Sequence, residues 1–209
     1  MKILIADDHP VARRGLRMIV SEAFGDVDCA EAADAATALT LARTVCPDLL
    51  LVDMRMPGDI PASTLCRMMR AVVPDSKIVI VTAFDSTTDI RDCLIAGADG
   101  CLLKDTSETD MAAALRAAVT DATALDPRIA FQLAHEMETQ PADKEIPRLS
   151  GREQDVLHLL AEGRSNRAIA RQLGLSEATV KGHVSRVLNK LNASSRLEAV
   201  VRAIGAGVI

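Results

Sequence analysis

DLLLVDM, residues 48–54, decides how the rest of the chain is read. Between Asp48 and Asp53 stand only Leu49, Leu50, Leu51 and Val52, an unbroken apolar run that predicts a strand buried on both faces. Such strands belong to parallel sheets covered by helices on either side. In those sheets ligands gather outside the carboxyl ends of the strands, which is where Asp53 falls.

Four other runs on either side of it have the same character. KILIADD, 2–8, stops at Asp7 and Asp8; KIVIVTA, 77–83, stops at Thr82; GCLLKD, 100–105, ends at Lys104; and VDCAEA, 27–32, is a weaker strand. Helical patterns separate them. Pro10 opens the first, with Val11, Leu16, Ile19 and Val20 as its apolar side. Asp34 caps a second, lined by Ala35, Ala38, Leu39 and Ala42 and ended by Pro47. Leu65 and Met69 mark a third, Ile90 and Leu94 a fourth that closes at Gly97, and Ser107 opens a fifth carrying Met111, Leu115 and Val119.

Five strands alternating with five helices predict an α/β fold, a doubly wound five-stranded parallel sheet with right-handed crossovers. Parallel strands point their carboxyl ends the same way, so Asp7, Asp8, Asp53, Thr82 and Lys104 converge on one edge. Three crowded carboxylates repel one another unless a divalent cation sits among them, and Mg²⁺ suits an all-oxygen site that keeps several waters. The remaining hydroxyl and ammonium fit an added phosphoryl group.

Composition sets the outer bounds. The chain has 209 residues, 49% hydrophobic and 25% charged, with five cysteines and neither Trp nor Tyr. No run approaches the roughly 20 apolar residues of a membrane span, and MKILIADDHP lacks the apolar segment of a signal peptide, so a cytoplasmic address and no membrane partner are expected. Cys29, Cys46, Cys66, Cys93 and Cys101 show no CxxC pair or zinc spacing and read as reduced, mostly buried thiols. Residues 148–209 hold ten Lys/Arg and five Asp/Glu; of the chain's 24 and 29, residues 1–147 therefore keep 14 and 24. An acidic first part joined to a basic second part suggests two domains with different partners.

Residues 122–147 connect them. Asp126 and Pro127 read as the start of a short helix carrying Ile129, Leu133 and Met137, with His135 an exposed side chain, and TQPADKEIP after it reads as flexible. In the second part Ser150 with Glu153 forms a capping box, Ser165 and Ser176 cap the next two helices, and Ser195 with Glu198 opens a fourth. Gly174 and Leu175 make a tight turn between the second and third, the signature of a helix-turn-helix. On the third helix Lys181 and Ser185 share one exposed stripe, and Arg186 and Lys190 another. Most charged stripes are merely solvated faces. The tight turn, the positive balance and the neighbouring Asn166, Arg167 and Arg171 favour nucleic acid instead.

Residues 2 to about 121 resemble the receiver domain of two-component response regulators, a flavodoxin-like fold. The resemblance implies that Asp53 accepts a phosphoryl group from a sensor histidine kinase. It also implies that Asp7, Asp8, Asp53 and the backbone carbonyl of Arg55 bind Mg²⁺, that Lys104 pairs with the phosphoryl oxygens and that Thr82 turns its hydroxyl toward them. Cys101 stands where that family usually has an aromatic residue that moves with the threonine, and a thiol cannot fill an aromatic-sized slot; Pro61 stands where Gly is frequent.

GREQDVL, GRSNRAIA and TVKGHVSRVLNKL resemble the LuxR-type DNA-binding domain over about 55 residues, and together the two parts look like a response regulator of the NarL/FixJ type. The expected organisation is a receiver at 1–121, a linker at 122–147 and an all-α helix-turn-helix domain of four helices at 148–209. The resemblance implies that the third helix enters the major groove of double-stranded DNA. Lys181, Gly182 and Ser185 would face bases; Asn166, Thr179 and Lys190 would hold phosphates; Arg186 lies on the neighbouring stripe, and His183 would touch backbone or pack against the second helix. Val200, Val201 and Ile204 would give the fourth helix its homodimer contact, with RNA polymerase a further partner. The expected function is a phosphorylation-controlled transcription factor, not an enzyme. Two alternatives are a phosphorylation-independent DNA-binding dimer with a structural receiver, and an aspartate-nucleophile phosphatase. The second would need another acid just after Asp53, where Met54 and Arg55 stand.

Overall fold

β3 (Leu49–Asp53) is buried at every position because its side chains alternate between two separate cores. Leu50 and Val52 face one and Leu49 and Leu51 the other, the period of two that a pleated strand imposes. The structure, a computed structural model, describes residues 1–83, 86–120, 124–138, 148–193 and 195–209, excluding the side chains of 134–138 and 205. The expected boundary at 121 and the polar stretch 139–147 fall outside the described residues, as do the side chains of His135 and Met137.

Around β3 the strands β1 (Lys2–Ala6), β2 (Asp28–Ala32), β4 (Lys77–Thr82), β5 (Gly100–Leu103) and β6 (Ala124–Leu125) pair in parallel, in the order β2-β1-β3-β4-β5-β6. α1 (Pro10–Phe24) and α5 (Glu108–Val119) close one core; α2 (Ala35–Val45), α3 (Ala62–Val72) and α4 (Thr87–Ile95) close the other. The chain builds outward from β1 to β2 and then crosses to β3, so the strand order reverses between β1 and β3. Asp7 and Asp53 flank that switch point.

Two features depart from expectation. Among the described residues the sheet has six strands, not five. β6 is two residues long, too short to carry a period, and it pairs with Gly100 and Cys101. Gly100 permits the approach: a Cβ there would stand 2.4 Å from the Ala124 carbonyl oxygen. Val11 is 83% exposed, because at roughly 100° per residue it lies off the arc shared by Leu16, Ile19 and Val20. Of the cysteines, Cys66, Cys93 and Cys101 are buried, Cys29 is half-buried and Cys46 is exposed.

Asp126 takes the Arg128 amide at 2.9 Å and so opens α6 (Pro127–Glu138), which buries Ile129 and Leu133. The second part holds α7 (Gly151–Ala161), α8 (Asn166–Leu173), α9 (Glu177–Lys190) and α10 (Arg196–Gly205). Gly174 at φ 67 stops α8 in the left-handed conformation that glycine tolerates, and Leu175 donates back to the Ala170 carbonyl at 2.9 Å. Ser176 then caps α9, completing the helix-turn-helix. α10 serves two cores. Ala199, Val200 and Ala203 join that of the helix-turn-helix, whereas Leu197 and Val201 join Ile129 and Leu133 in a receiver core. Among the described residues no helix is long and apolar enough to cross a membrane.

Glu153 ties α7 to α9. Its buried carboxylate accepts from Lys190 Nζ and from the Ser150 amide, each at 2.7 Å, and these bonds hold it down to about 2 from an ordinary 4.5. A depressed carboxyl contributes stability above its unfolded value and loses it as pH falls through its folded value. The helix-turn-helix unit should therefore weaken between pH 4.5 and about 2. In thermal melts followed by circular dichroism, Glu153→Gln should melt lower at pH 7 and show a shallower decline across that window. Parallel curves for variant and wild type would rule this out.

Candidate functional site

The ends of β1, β3, β4 and β5 bring Asp7, Asp53, Thr82 and Lys104 to one edge of the sheet, as parallel strands require. Asp7 is fully buried and Asp53 is 4% exposed. Lys104 Nζ stands 2.8 Å from Asp7 Oδ2 and 2.9 Å from Asp53 Oδ2, one ammonium bridging two carboxylates. Burial raises the Asp53 carboxyl, and the Asp7 charge adds to that, while the Lys104 bond opposes both. Burial works against the Lys104 charge, but its bonds to Asp53 and Asp7 outweigh it and raise the ammonium. The amide of Lys104 donates to the Thr82 carbonyl at 2.8 Å, so the last turn of β5 is fixed to β4 beside the acids. Arg55 donates its amide to Asp53 Oδ1 at 3.3 Å, holding the following loop at the pocket.

Ligand atoms of Asp7, Asp8, His9 and Asp53 all lie within 4.8 Å of one another. Asp7 Oδ2 and Asp8 Oδ1 are buried oxygens with bonding capacity to spare: Lys104 Nζ pairs with the first at 2.8 Å, and His9 Nδ1 lies 2.7 Å from the second. Hard oxygen donors with spare lone pairs fit a small hard cation such as Mg²⁺. His9, whose Nδ1 lies 2.7 Å from Asp8 Oδ1 and whose amide donates to Asp7 Oδ1 at 2.8 Å, was not singled out in the sequence. Nor was Arg13, which donates to the Asp7 carbonyl at 2.6 Å. Position alone, directly after the acidic pair and one turn into α1, was their only signal. Cys101 is fully buried on the α3–α4 side, and burial pushes its thiol up, with Cys93 and Asp126 adding to it, so it stays a neutral, unreactive thiol.

In the second site α9 displays Lys181, Ser185 and Arg186 to solvent, with Gly182 and His183 half-buried. Arg186 Nη2 contacts His183 Nδ1 at 2.9 Å, and its Nε lies 3.7 Å from Glu153 Oε1. Lys190 is engaged: it donates to Glu153 and to the Arg148 carbonyl, the latter at 3.1 Å. Thr179 shares a hydroxyl contact of 2.8 Å with the capping Ser176. Asn166 opens α8 with a buried Oδ1 that carries no hydrogen bond. Val200 and Ile204 lie on the helix-turn-helix core and Val201 on the receiver core.

Residues 3–116 match the family described as "Response regulator receiver domain", and residues 147–203 match "Bacterial regulatory proteins, luxR family". The chain is similar to the nitrate/nitrite response regulator protein NarP of Escherichia coli K12, 38% identical over 201 residues covering 96% of this chain and 93% of that one. It is 35% identical over 207 residues to the DNA-binding transcriptional activator DevR/DosR of Mycobacterium tuberculosis H37Rv, covering 97% and 94%. Among solved structures, the response regulator ChrA of a heme-sensing two-component system aligns with a TM-score of 0.52 at 34% identity, over 100% of this chain and 98% of that one. An RcsB–DNA complex aligns with a TM-score of 0.57 at 25% identity, over 98% of each.

Removing the bridging ammonium should leave two nearly buried carboxylates facing each other. Lys104→Ala should cost about 1–3 kcal/mol of receiver stability at pH 7. The deficit should shrink as the pH is lowered from 7, because Asp53, whose carboxyl burial raises, then takes up a proton and the repulsion is relieved. Urea titrations at pH 7 and at a lower pH measure it; a deficit that is absent, or the same at both, would contradict the pairing.

Proposed function

The chain belongs to the response-regulator family, a receiver joined to a luxR-type DNA-binding domain, and on that premise we propose that phosphorylation of Asp53 by a sensor histidine kinase controls DNA binding by α9. The observation that carries the proposal is the Lys104 bridge between Asp7 and Asp53 at the strand ends. An Asp53 oxygen attacks phosphorus in line, the P–N bond to the kinase histidine breaks, and the imidazole leaves with the electron pair. Asp7, Asp8, Asp53 and the Arg55 carbonyl would hold Mg²⁺, which when bound offsets charge on the transferring oxygens. Lys104 re-partners from Asp53 to a phosphoryl oxygen, and the Thr82 hydroxyl follows. Cys101, in the aromatic's usual place, has less bulk with which to transmit that movement.

On the DNA side, Lys181, Gly182 and Ser185 face bases, with Lys181 the candidate for a guanine contact. Asn166 and Thr179 hold phosphates, Arg186 and His183 support the same edge, and Lys190 reaches phosphate only by leaving Glu153. Of the three residues expected to form the homodimer contact, Val200 is buried in the helix-turn-helix's own core, which leaves Val201 and the half-buried Ile204 to meet a second copy. Val201 cannot serve a second copy while it is buried against the receiver, so dimerisation and release of α10 are one event. The protein acts in the cytoplasm as a regulator rather than as an enzyme, on double-stranded DNA and alongside RNA polymerase.

Phosphoryl transfer is tested with Asp53→Asn. A phosphorylated kinase or small-molecule phosphoryl donor with Mg²⁺ should label wild type and tighten its DNA binding, and should do neither for the variant. Equal stimulation of both would sink the proposal, whereas tight binding indifferent to donor in both would favour a constitutive dimer. Lys181→Ala should lose about 1–3 kcal/mol of discrimination between the preferred site and altered ones. Unchanged discrimination in competition binding would move base readout elsewhere.

A further inference from the structure

Away from the acid pocket, a cavity of about 550 Å³ lies between the receiver and the helix-turn-helix. Arg67, Arg70, Lys77 and Asp99 line it from the receiver, and Asn166, Lys181 and Arg196 from the other side. Asp99 is the one carboxylate among these lining residues, and it is already committed. Asp99 Oδ2 accepts from Arg70 at 2.5 Å and from the Ile78 amide at 2.9 Å, and its Oδ1 lies 3.9 Å from Lys77. Arg70 spends its other N–H groups on the Gly97, Pro74 and Ser76 carbonyls, so its fork is rigid. Among the described residues Arg67 and Lys181 have no carboxylate partner.

Two cations of this kind, Arg67 on the receiver wall and Lys181 on the α9 wall, line the same space. Contact between domains brings them together at an electrostatic cost unless something of opposite charge lies between. The volume falls within the roughly 300–1,000 Å³ of small-molecule sites. Asn166 opens α8, so the positive end of that helix reinforces the charge. The floor between the walls is apolar, with Ile95, Val184, Leu188 and Leu197.

From this juxtaposition we propose that the interdomain cavity is a binding site for a compact polyphosphate, either free or as the phosphate tail of a nucleotide. The anion reaches Arg67 on the receiver and Lys181 on α9 at once, so it favours the arrangement in which the two domains touch. Because Lys181 and Asn166 are also assigned to DNA, the bound anion excludes duplex from α9. That consequence rests on the DNA assignment above; the binding site itself does not.

The test is calorimetric titration of the full chain with tripolyphosphate and with ATP, without Mg²⁺ and at constant ionic strength. Wild type should bind one anion saturably. Arg67→Ala on the receiver wall and Lys181→Ala on the α9 wall should each weaken binding roughly tenfold, an amount typical of a lost charge-assisted contact. Arg14→Ala, on exposed α1, should bind as wild type does. ATP binding more tightly than tripolyphosphate would show that the apolar floor selects a nucleotide; equal affinity would show that the phosphate chain alone is recognised. Absence of saturable binding overturns the proposal. So does Arg67→Ala behaving as wild type, since the anion would then sit on α9 alone, and so does an unaffected Lys181→Ala. The outcome is independent of Asp53 labelling, so either reading can fail without the other.

Discussion

One ammonium between two buried carboxylates sets the terms for this molecule. Asp7 and Asp53 sit on adjacent strands because β1 and β3 are neighbours in the sheet, and burial leaves them little water to screen their repulsion. Lys104 at 2.8 and 2.9 Å offsets that repulsion, and it arrives from two strands away because β4 and β5 continue the same parallel register. The balance is local and easily reset. A phosphoryl group on Asp53 would bring more negative charge than one ammonium neutralises, so the lysine and the neighbouring acid oxygens would have to rearrange around it.

Much of this edge was legible in the sequence because the rule that creates it is simple. Apolar runs that end in polar residues, alternating with helices, force Asp7, Asp8, Asp53, Thr82 and Lys104 together once the strands are parallel. The caps at Asp34, Ser107, Ser150, Ser165 and Ser176 were equally readable, since each depends on a side chain three residues from the amide it bonds. What escaped has no local signature. A two-residue strand shows no period, and the room made for it by Gly100 appears only when β6 is beside it. The second use of Val201 is likewise a property of two cores meeting on one helix; the sequence shows an apolar stripe and not which surface takes which residue.

Residues that look free on a helical wheel also turn out to be spoken for. Lys190 and Arg186 read from the sequence as an exposed basic stripe, yet Lys190 bonds Glu153 and Arg186 leans on His183 and the same carboxylate. A buried, depressed carboxyl at the head of α7 thereby orients the carboxyl-terminal half of α9. That leaves Lys181 and Ser185, nearer its amino terminus, as the side chains whose energy can go wholly into a partner. Charge on a helix is therefore a poor count of contacts with nucleic acid until the internal pairs are subtracted.

The linker is the place where these constraints join. It enters the sheet as β6, and Asp126 then donates its amide to the Cys101 carbonyl at 2.9 Å, so the chain beyond the receiver is stitched to the strand that ends in Lys104. Arg128 closes the loop: it forks onto Asp105 at 2.8 and 2.9 Å, onto Asp126 at 3.0 and 3.1 Å, and so grips the residue next to Lys104. Any displacement of Lys104 that carries Asp105 must either stretch that fork or move α6 with it. Since α6 packs on α10, and α10 shares its faces between receiver and helix-turn-helix, the movement has a mechanical outlet that does not pass through the Cys101 side chain.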